Sequence, residues 1–224
     1  MVSLLRFAVV IATLSRMAEA RKRRSNGEAS RQRILDAAAE IAGERGYEGT
    51  SINLVSERSG LPPSSIYWHF KDKDDLIAAV IDRSFTQWIE TIVEPVGVPD
   101  GAKPEEVFRV ALRRTGQALA RFPDFLRLGL LLILEQRPDE PTARARFMQA
   151  RRATANGTAG LYRRTFPDLD KPAIDQLVTL TMALADGLFV AGDAGEVDLD
   201  DAFDLIATAV LATAGSLRLL ERLP

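Results

Sequence analysis

The sequence predicts an all-α fold with two domains, and three observations support this. Apolar residues recur at spacings of three and four, as on one face of a helix, along most of the 224 residues. No stretch shows the sustained alternation of apolar and polar residues that indicates a strand. Clusters of proline and glycine divide the helical pattern into segments. We therefore expect a small N-terminal three-helix domain joined by a long helix to a larger C-terminal helical domain.

Composition excludes several classes of function. The chain has no cysteine and one histidine, which excludes a disulfide framework, a thiolate metal site and a site built from several imidazoles. Adjacent acidic pairs such as Asp74-Asp75 do not face each other on a helix, so they do not form a carboxylate pair for acid-base chemistry. No glycine-rich phosphate loop or nucleophile elbow occurs. We expect no metal, no cofactor, no catalytic residue and no enzymatic activity.

Charge is distributed unevenly, although the net charge is only −2. The run from Arg21 to Arg24 is densely basic, residues 101–165 are rich in Lys and Arg, and residues 166–224 are rich in Asp and Glu. Any contact with nucleic acid should therefore be confined to a small basic face and weaken steeply with salt.

Residues 1–27 are expected to form an extension and a flexible basic arm. The apolar run from Phe7 to Leu14 is too short to span a bilayer. It suits either a secretory signal or, as we prefer, sequence upstream of a true start at Met17. Residues 17–29 have no apolar face, and they act either as an arm that enters a minor groove or as a solvated tail.

The first helix is predicted from Ser30 to about Arg45. Ile34, Ala38 and Ile41 form its apolar stripe, and Gly46 ends it. Two short helices separated by a tight turn follow. Gly60 supplies the left-handed residue that ends the first of them, and the proline pair after it is tolerated only in the first turn of the second.

The second short helix presents an unusual outer face. Ile66 and Phe70 are four residues apart and can point inward together. The side chains left outside are Ser64, Ser65, Trp68 and His69, with Tyr67 at the edge. Hydroxyls, an imidazole and flat aromatic rings on an exposed short helix suit the major groove of DNA better than a protein core.

This stretch resembles the helix-turn-helix of the TetR family of bacterial transcriptional regulators. The matching residues are Thr50-Ser51, Val55, Gly60-Leu61, Ile66-Tyr67, Phe70, Lys73 and Leu76. The resemblance covers roughly residues 28–80, and we expect residues 28–75 to form the DNA-binding domain. It implies a regulator that binds double-stranded operator DNA as a homodimer in the cytoplasm.

The resemblance also assigns roles to individual residues. Positions that read bases in the family correspond to Asn53, Ser64, Ser65, Trp68 and His69, and those that hold phosphate correspond to Tyr67 and Lys73. Thr50, Ser51 and Lys71 complete the predicted DNA-binding set, although Thr50 is better explained as a helix N-cap.

The long helix is predicted from Asp72 to about Glu94. Asp72 can cap it, and Asp75 can bond back to the preceding backbone. It begins at the expected DNA face and ends in the second domain, residues 76–224, so it can act as a lever between the two. Further helices are expected at 105–122, 123–136, 142–164, 173–190 and 200–220.

The second domain should hold a pocket for a small, largely apolar effector. Aromatic, Met and polar side chains expected to line it are Phe85, Trp88, Phe108, Gln117, Phe125, Glu135, Met148 and Arg152. Such apolar walls with a few polar anchors are typical of ligand pockets, and the family uses such pockets for effectors. For each apolar residue, an ordinary place in the core is the alternative.

The last two helices carry more apolar residues than one chain can bury. The predicted dimer interface consists of Leu177, Leu180, Leu184, Leu188, Ile206, Val210, Leu211 and Leu217. Two copies would form a four-helix bundle. The alternative is a thick core within a monomer.

Together these features predict a one-component regulator, most simply a repressor that leaves a palindromic operator when an effector binds. An activator on the same fold is one alternative. Another is a helical carrier of apolar ligands with vestigial DNA binding. We expect no membrane association.

Overall fold

In the computed structural model, the backbone is described for residues 2–93, 101–134 and 142–220. Side chains are described for residues 26–93, 101–134, 142–199 and 201–219. Throughout these ranges the regular backbone is α-helical and contains no strand, which confirms the all-α class. The chain divides into two compact units, Met1–Ile77 and Ala78–Pro224.

The helices begin and end close to the breaks set by proline and glycine. In chain order they are α1 (Val2–Gly49), α2 (Ile52–Ser59), α3 (Pro63–His69), α4 (Lys73–Val93), α5 (Pro104–Arg121), α6 (Asp124–Leu134), α7 (Thr142–Thr165), α8 (Lys171–Asp193) and α9 (Leu199–Leu220). The boundary between the two units falls within α4.

α1 includes the segment that was expected to be a flexible arm. The helix begins at Val2, and Asn26 to Ala29 lie within it. Residues 17–29 contain no proline and are rich in Ala, Arg and Glu, which favour helix strongly. This local preference explains a helix where the absence of an apolar face suggested an arm. The side chains of the basic run at 21–24 lie outside the described residues.

Glycine ends the regular part of α1 where the sequence predicted. Gly46 has φ 69° and ψ −176°, a backbone conformation that favours glycine over residues with a Cβ atom. The chain then turns, and Tyr47 is buried just after the break.

The core of the first unit joins α1 to the two short helices. Ile34 and Ile41 from α1 are fully buried with Val55 of α2 and Ile66 of α3. Arg33 donates from Nη2 to the carbonyl oxygen of Ser59 at 2.5 Å, which places a cation at the C-terminus of α2. These contacts hold α2 and α3 against α1.

The second unit is held by apolar packing with a few buried polar bonds. Phe108, Tyr162 and Phe166 stack edge to face with ring centroids 5.5–5.9 Å apart. The Tyr162 hydroxyl lies 2.5 Å from Thr181 Oγ1, and burial raises the pKa of Tyr162 to about 12.

α4 is tied to the next two helices by polar bonds. Trp88 Nε1 donates to the Thr115 carbonyl at 3.3 Å. Ser84 Oγ donates to the Phe122 carbonyl at 3.1 Å and accepts from the Phe125 amide at 3.2 Å. The two bonds of Ser84 satisfy backbone groups at the junction of α5 and α6. All three bonds hold α4 against these two helices.

Candidate nucleic-acid interface and ligand cavity

α3 begins at a proline pair, as the sequence predicted. Pro62 is the N-cap residue in an extended conformation, and Pro63 is the first helical residue. No side chain caps this end, but the Ser65 amide donates to the Pro62 carbonyl at 2.9 Å. Ile66 and Phe70 are buried, so the opposite side of α3 must face outward.

The outer face of α3 carries the predicted base-reading side chains. Ser64 is exposed, Tyr67 is 57% exposed and Trp68 is 75% exposed, whereas Ser65 and His69 are half-buried. An exposed tryptophan of this size on a seven-residue helix has no partner in the core of this unit. It is available to a flat ligand such as a base pair edge or a thymine methyl group.

A surface hollow of about 360 Å³ lies between α3 and residues 26–30 of α1. Asn26, Gly27 and Ser30 line it from α1, opposite Ser64 and Trp68. The Trp68 ring lies 3.6 Å from the position that a Cβ atom on Gly27 would occupy. Sequence reasoning missed these α1 residues, because nothing in their spacing shows that α1 extends beside α3.

His69 is held neutral by its surroundings. Burial lowers its pKa below the usual 6.5, and the positive charge of Arg31 lowers it further, against a smaller opposing effect of Glu28. The imidazole also packs edge-on to Trp68, with the ring centroids 4.5 Å apart. At neutral pH the ring therefore offers one donor and one acceptor rather than a charge.

The start of α2 corrects one prediction. Ser51, and not Thr50, is the N-cap: its side chain accepts from the Leu54 amide at 3.3 Å. Thr50 is 2% exposed and its hydroxyl donates to the Gly46 carbonyl at 2.8 Å. The turn that follows Gly46 points this hydroxyl inward, so the Thr50 side chain has no access to DNA. Ser51 and Asn53 are exposed.

The start of α4 brings a lysine back onto the first unit. Asp72 caps the helix, accepting from the Asp75 amide at 2.9 Å, and Asp75 accepts from the Lys71 amide at 3.0 Å. Lys73 Nζ donates to the Tyr47 carbonyl at 3.2 Å and lies 4.3 Å from the centroid of the Tyr47 ring. Lys73 therefore has a structural role beside its predicted phosphate contact, whereas the Lys71 side chain is exposed.

The second unit contains an apolar cavity of about 370 Å³, a size that suits a small molecule. Trp88 and Ile92 of α4 line it, together with Phe125 and Phe147. Its polar lining consists of Thr115, Arg151, Thr154, Thr158, Arg164, Thr181 and Asp186. We call this space the inner cavity.

Two of the predicted pocket residues, Trp88 and Phe125, line the inner cavity. Phe85 packs against both of their rings and is not among the lining residues. Phe108 is a core residue, 1% exposed, because α5 turns it towards Tyr162.

The predicted polar anchors are elsewhere. Gln117 is exposed on α5, and Met148 and Arg152 line a different groove on the surface. Glu135 lies outside the described residues. The anchors that sequence reasoning missed are on α7, where Arg151, Thr154 and Thr158 follow one another at helical spacing. The run of small residues around them was the available signal.

The predicted dimer residues divide into two groups. Leu177, Ile206 and Val210 are fully buried within their own chain, so these three assignments are wrong: α8 and α9 use them to pack against the rest of the unit. The others, Leu180, Leu184, Leu188, Leu211 and Leu217, are partly exposed. Leu205, at 57% exposure, was missed.

Both helices are apolar enough, by length and composition alone, to cross a membrane, a test that core helices also pass. Only 28% and 33% of their most apolar windows are buried within the chain. Several apolar side chains of α8 and α9 are therefore left partly or fully exposed within the described residues. Within the described residues, no group of three or more His, Asp or Glu side chains could hold a metal ion.

Comparison with known proteins finds a family match for the first unit. Residues 34–80, which contain the C-terminal third of α1, all of α2 and α3 and the start of α4, match the family model described as bacterial regulatory proteins, tetR family. This part of the chain therefore matches the TetR family. The chain is also 37% identical over 65 residues to the transcriptional regulator AcrR of Shigella flexneri, a match that covers 29% of this chain and only 30% of AcrR.

Solved structures of transcriptional regulators share the fold over about four fifths of this chain. One is FadR of Bacillus subtilis in complex with stearoyl-CoA, with a TM-score of 0.63 and 21% identity over 81% of this chain and 98% of FadR. Another is SmeT, the repressor of a multidrug efflux pump of Stenotrophomonas maltophilia, with a TM-score of 0.61 and 20% identity over 81% and 88%. At 20–21% identity, these likenesses show the fold.

Proposed function

We propose that this protein is a TetR-family repressor that binds a palindromic operator as a homodimer and leaves it when a small, largely apolar effector occupies the inner cavity. One observation carries the proposal. α4 is a single helix whose first residue, Lys73, is bonded to Tyr47 of the DNA-binding unit and whose later turns line the inner cavity. A ligand that moves the later turns can therefore act on the DNA-binding unit.

The DNA-binding part rests on the outer face of α3. Trp68, Tyr67 and Ser64 are exposed there with no role in the core, and Ser51 and Asn53 are exposed at the start of α2. Hydroxyl, amide and aromatic groups of this kind bind both phosphates and base edges in a major groove. The family membership of residues 34–80 supports the same use.

The homodimer rests on the apolar surface of α8 and α9. Leu180, Leu184 and Leu188 recur every four residues along α8 and are only partly buried. An apolar stripe of this kind on two neighbouring helices favours a four-helix bundle with a second copy. A two-fold dimer would place two copies of α3 on successive half-sites of a palindrome.

The effector response rests on the inner cavity and on population shift. An effector moves the equilibrium between DNA-bound and released conformations only if it binds the released one more tightly. One solved structure with this fold, FadR of Bacillus subtilis, is a complex with stearoyl-CoA. We propose the same class of event here, with an effector of comparable apolar character.

Selection of bound sequences from random double-stranded DNA tests the proposal with the purified protein. We expect enrichment of a palindrome with two half-sites, because a two-fold dimer reads both. A strongly enriched sequence without two-fold symmetry would contradict the dimeric repressor. The absence of any enriched sequence, with ligand binding retained, would favour the carrier function instead.

A further inference from the structure

A second hollow, open to solvent, lies between α7 and α8 on the surface of the second unit. It has a volume of about 420 Å³ and includes Met148, Arg151, Arg152, Val178, Met182 and Asp186 in its lining. We call it the α7–α8 groove. Arg151, Met182 and Asp186 also line the inner cavity, so these three side chains form a wall shared by the groove and the cavity.

The shared wall is closed by an ion pair and a flexible side chain. Arg151 donates from both terminal nitrogens to the two carboxylate oxygens of Asp186, at 2.8 and 2.5 Å. Both side chains are less than a quarter exposed. Met182 is unbranched and adapts to different neighbours. No covalent bond holds this wall closed. A ligand that carries an anionic group can therefore replace Asp186 as the partner of Arg151.

The charge around the two hollows is suited to an anion. Arg151, Arg152 and Arg164 supply three guanidinium groups to their lining, against the single carboxylate of Asp186. The planar guanidinium of Arg151 already holds a carboxylate through two parallel bonds, which is the arrangement that also binds phosphate. A cation would meet a net positive surface and would have to compete with Arg151 for Asp186.

We propose that the α7–α8 groove binds the carboxylate or phosphate head group of a single-chain amphiphile whose apolar tail enters the inner cavity. Arg151 exchanges Asp186 for the head group, and Arg152 adds charge at the rim. This inference takes one point from the proposed function, which is that the inner cavity is the effector site. The binding itself requires no DNA.

Trp88 provides the probe, since it lines the inner cavity and the only other tryptophan is Trp68. In a Trp68→Phe background, the emission of Trp88 is recorded during titration with four ligands of equal chain length. These are dodecanoate, monododecyl phosphate, dodecanol and dodecyltrimethylammonium, each below its micelle concentration. We expect the anions to bind at least about tenfold more tightly than dodecanol, because a charge-assisted bond contributes about 1.5–3 kcal/mol. The ammonium ligand should bind most weakly.

Two variants separate head-group recognition from a structural role. Arg151→Met should weaken both anions about tenfold and leave dodecanol unchanged. Asp186→Asn should tighten both anions, because it removes the competing carboxylate, whereas a purely structural ion pair would make this variant weaker for every ligand. Arg163→Met, an exposed arginine of α7 outside both linings, is the matched control and should bind as the parent does.

Equal affinity for dodecanoate and dodecanol, or a loss of anion binding in Asp186→Asn, would overturn the proposal. A preference for one anion identifies the head group as carboxylate or phosphate. Arg151→Lys, which keeps the charge but loses the bidentate geometry, gives a second measurement if the Met variant unfolds; affinity equal to that of the parent would count against the proposal. Failure to bind DNA leaves these results unaffected, and failure to bind amphiphiles leaves palindrome selection unaffected.

Discussion

At the scale of single residues, Trp68 shows most directly how the first unit is prepared for a partner. Its ring is 75% exposed, packs edge-on with His69 and lies beside Gly27. Exposure of so large an apolar group is unfavourable in water unless a partner covers it. Its removal should therefore affect binding and not folding.

We predict that Trp68→Ala lowers operator affinity by about 1–3 kcal/mol and leaves the melting temperature unchanged. Affinity is measured by fluorescence anisotropy on the selected operator, and stability by circular dichroism. Gln32→Ala, on the exposed face of α1, is the control and should change neither quantity. Unchanged affinity in Trp68→Ala would remove this side chain from the interface.

Lys73 should behave differently from its neighbour Lys71. Lys73→Met removes the bond to the Tyr47 carbonyl and the contact with the Tyr47 ring, and should cost about 0.5–1.5 kcal/mol of folding stability in the absence of DNA. Lys71→Met removes only an exposed charge, so we expect weaker DNA binding, a salt slope smaller by about one, and no loss of stability. Urea denaturation and a salt series on the operator measure the two effects. Equal stability of the two variants would contradict the structural role of Lys73.

The single histidine gives a pH prediction whose sign follows from its environment. Because burial and Arg31 lower the pKa of His69 below 6.5, the unfolded chain takes up the proton first as the pH falls. His69 therefore contributes stability above pH 6.5, which is lost as the pH falls through its lowered pKa. DNA affinity should be flat from about pH 7 to 8 and should rise below this range, when the imidazole becomes charged near phosphates. His69→Gln should abolish the rise, and its persistence in this variant would exclude His69 as its source.

Residue roles were predictable from sequence where a single helix face decided them. The division of α3 into buried Ile66 and Phe70 and an exposed Trp68 follows from helical spacing alone. The roles of Thr50 and Arg33 do not follow from helical spacing. The role of Thr50 depends on a turn, and that of Arg33 on a contact between residues far apart in sequence. A local pattern does not show that Arg33 reaches Ser59, 26 residues away.

At the scale of elements, α6 and α7 approach so closely that glycine is required at their crossing. A Cβ atom on Gly129 would lie 2.0 Å from the Phe147 ring, inside a core with no space for it to move. Gly157, on the same α7 as Phe147, has nothing within 4 Å of its Cβ position.

We predict opposite effects of the same substitution at these two glycines. Gly129→Ala should destabilise the protein by about 1–3 kcal/mol or more, because overpacking forces the Phe147 ring to move. Gly157→Ala should stabilise it by up to about 1 kcal/mol, because alanine favours helix and meets no neighbour. Thermal denaturation of the two variants decides the matter. A tolerated Gly129→Ala would show that α6 and α7 are less closely packed than described.

Element boundaries were predictable because proline and glycine act locally, whereas the cavity lining was not. Pro63, Gly46 and Gly60 each end or begin a helix where the sequence indicated. Which side of α7 faces the inner cavity depends on its packing against α6 and α8. Arg151 and Arg152 are adjacent in sequence, yet only Arg151 lines the inner cavity. Tertiary packing decides which of these two adjacent residues faces the inner cavity.

At the scale of the whole molecule, we predict that the half-buried leucines of α8 hold two copies together. Leu184→Glu should convert a dimer into a monomer, because a charge on an apolar interface loses its hydration without gaining a partner. Operator affinity should fall steeply, since a monomer reads only one half-site. Analytical ultracentrifugation and anisotropy measure the two effects, with Thr179→Glu on an exposed position of α8 as the control. A parent protein that is already monomeric at micromolar concentration would contradict the homodimer.

The α7 wall of the inner cavity has a consequence for engineering. It includes Ala153, Thr154, Gly157 and Thr158, none of which is buried, whereas the support of the unit comes from Phe108, Tyr162 and Phe166. Substitutions in this wall change the shape of the cavity without disturbing the aromatic core. On the proposed function, a library of variants at these four positions can be screened for new inducers while the operator stays the same.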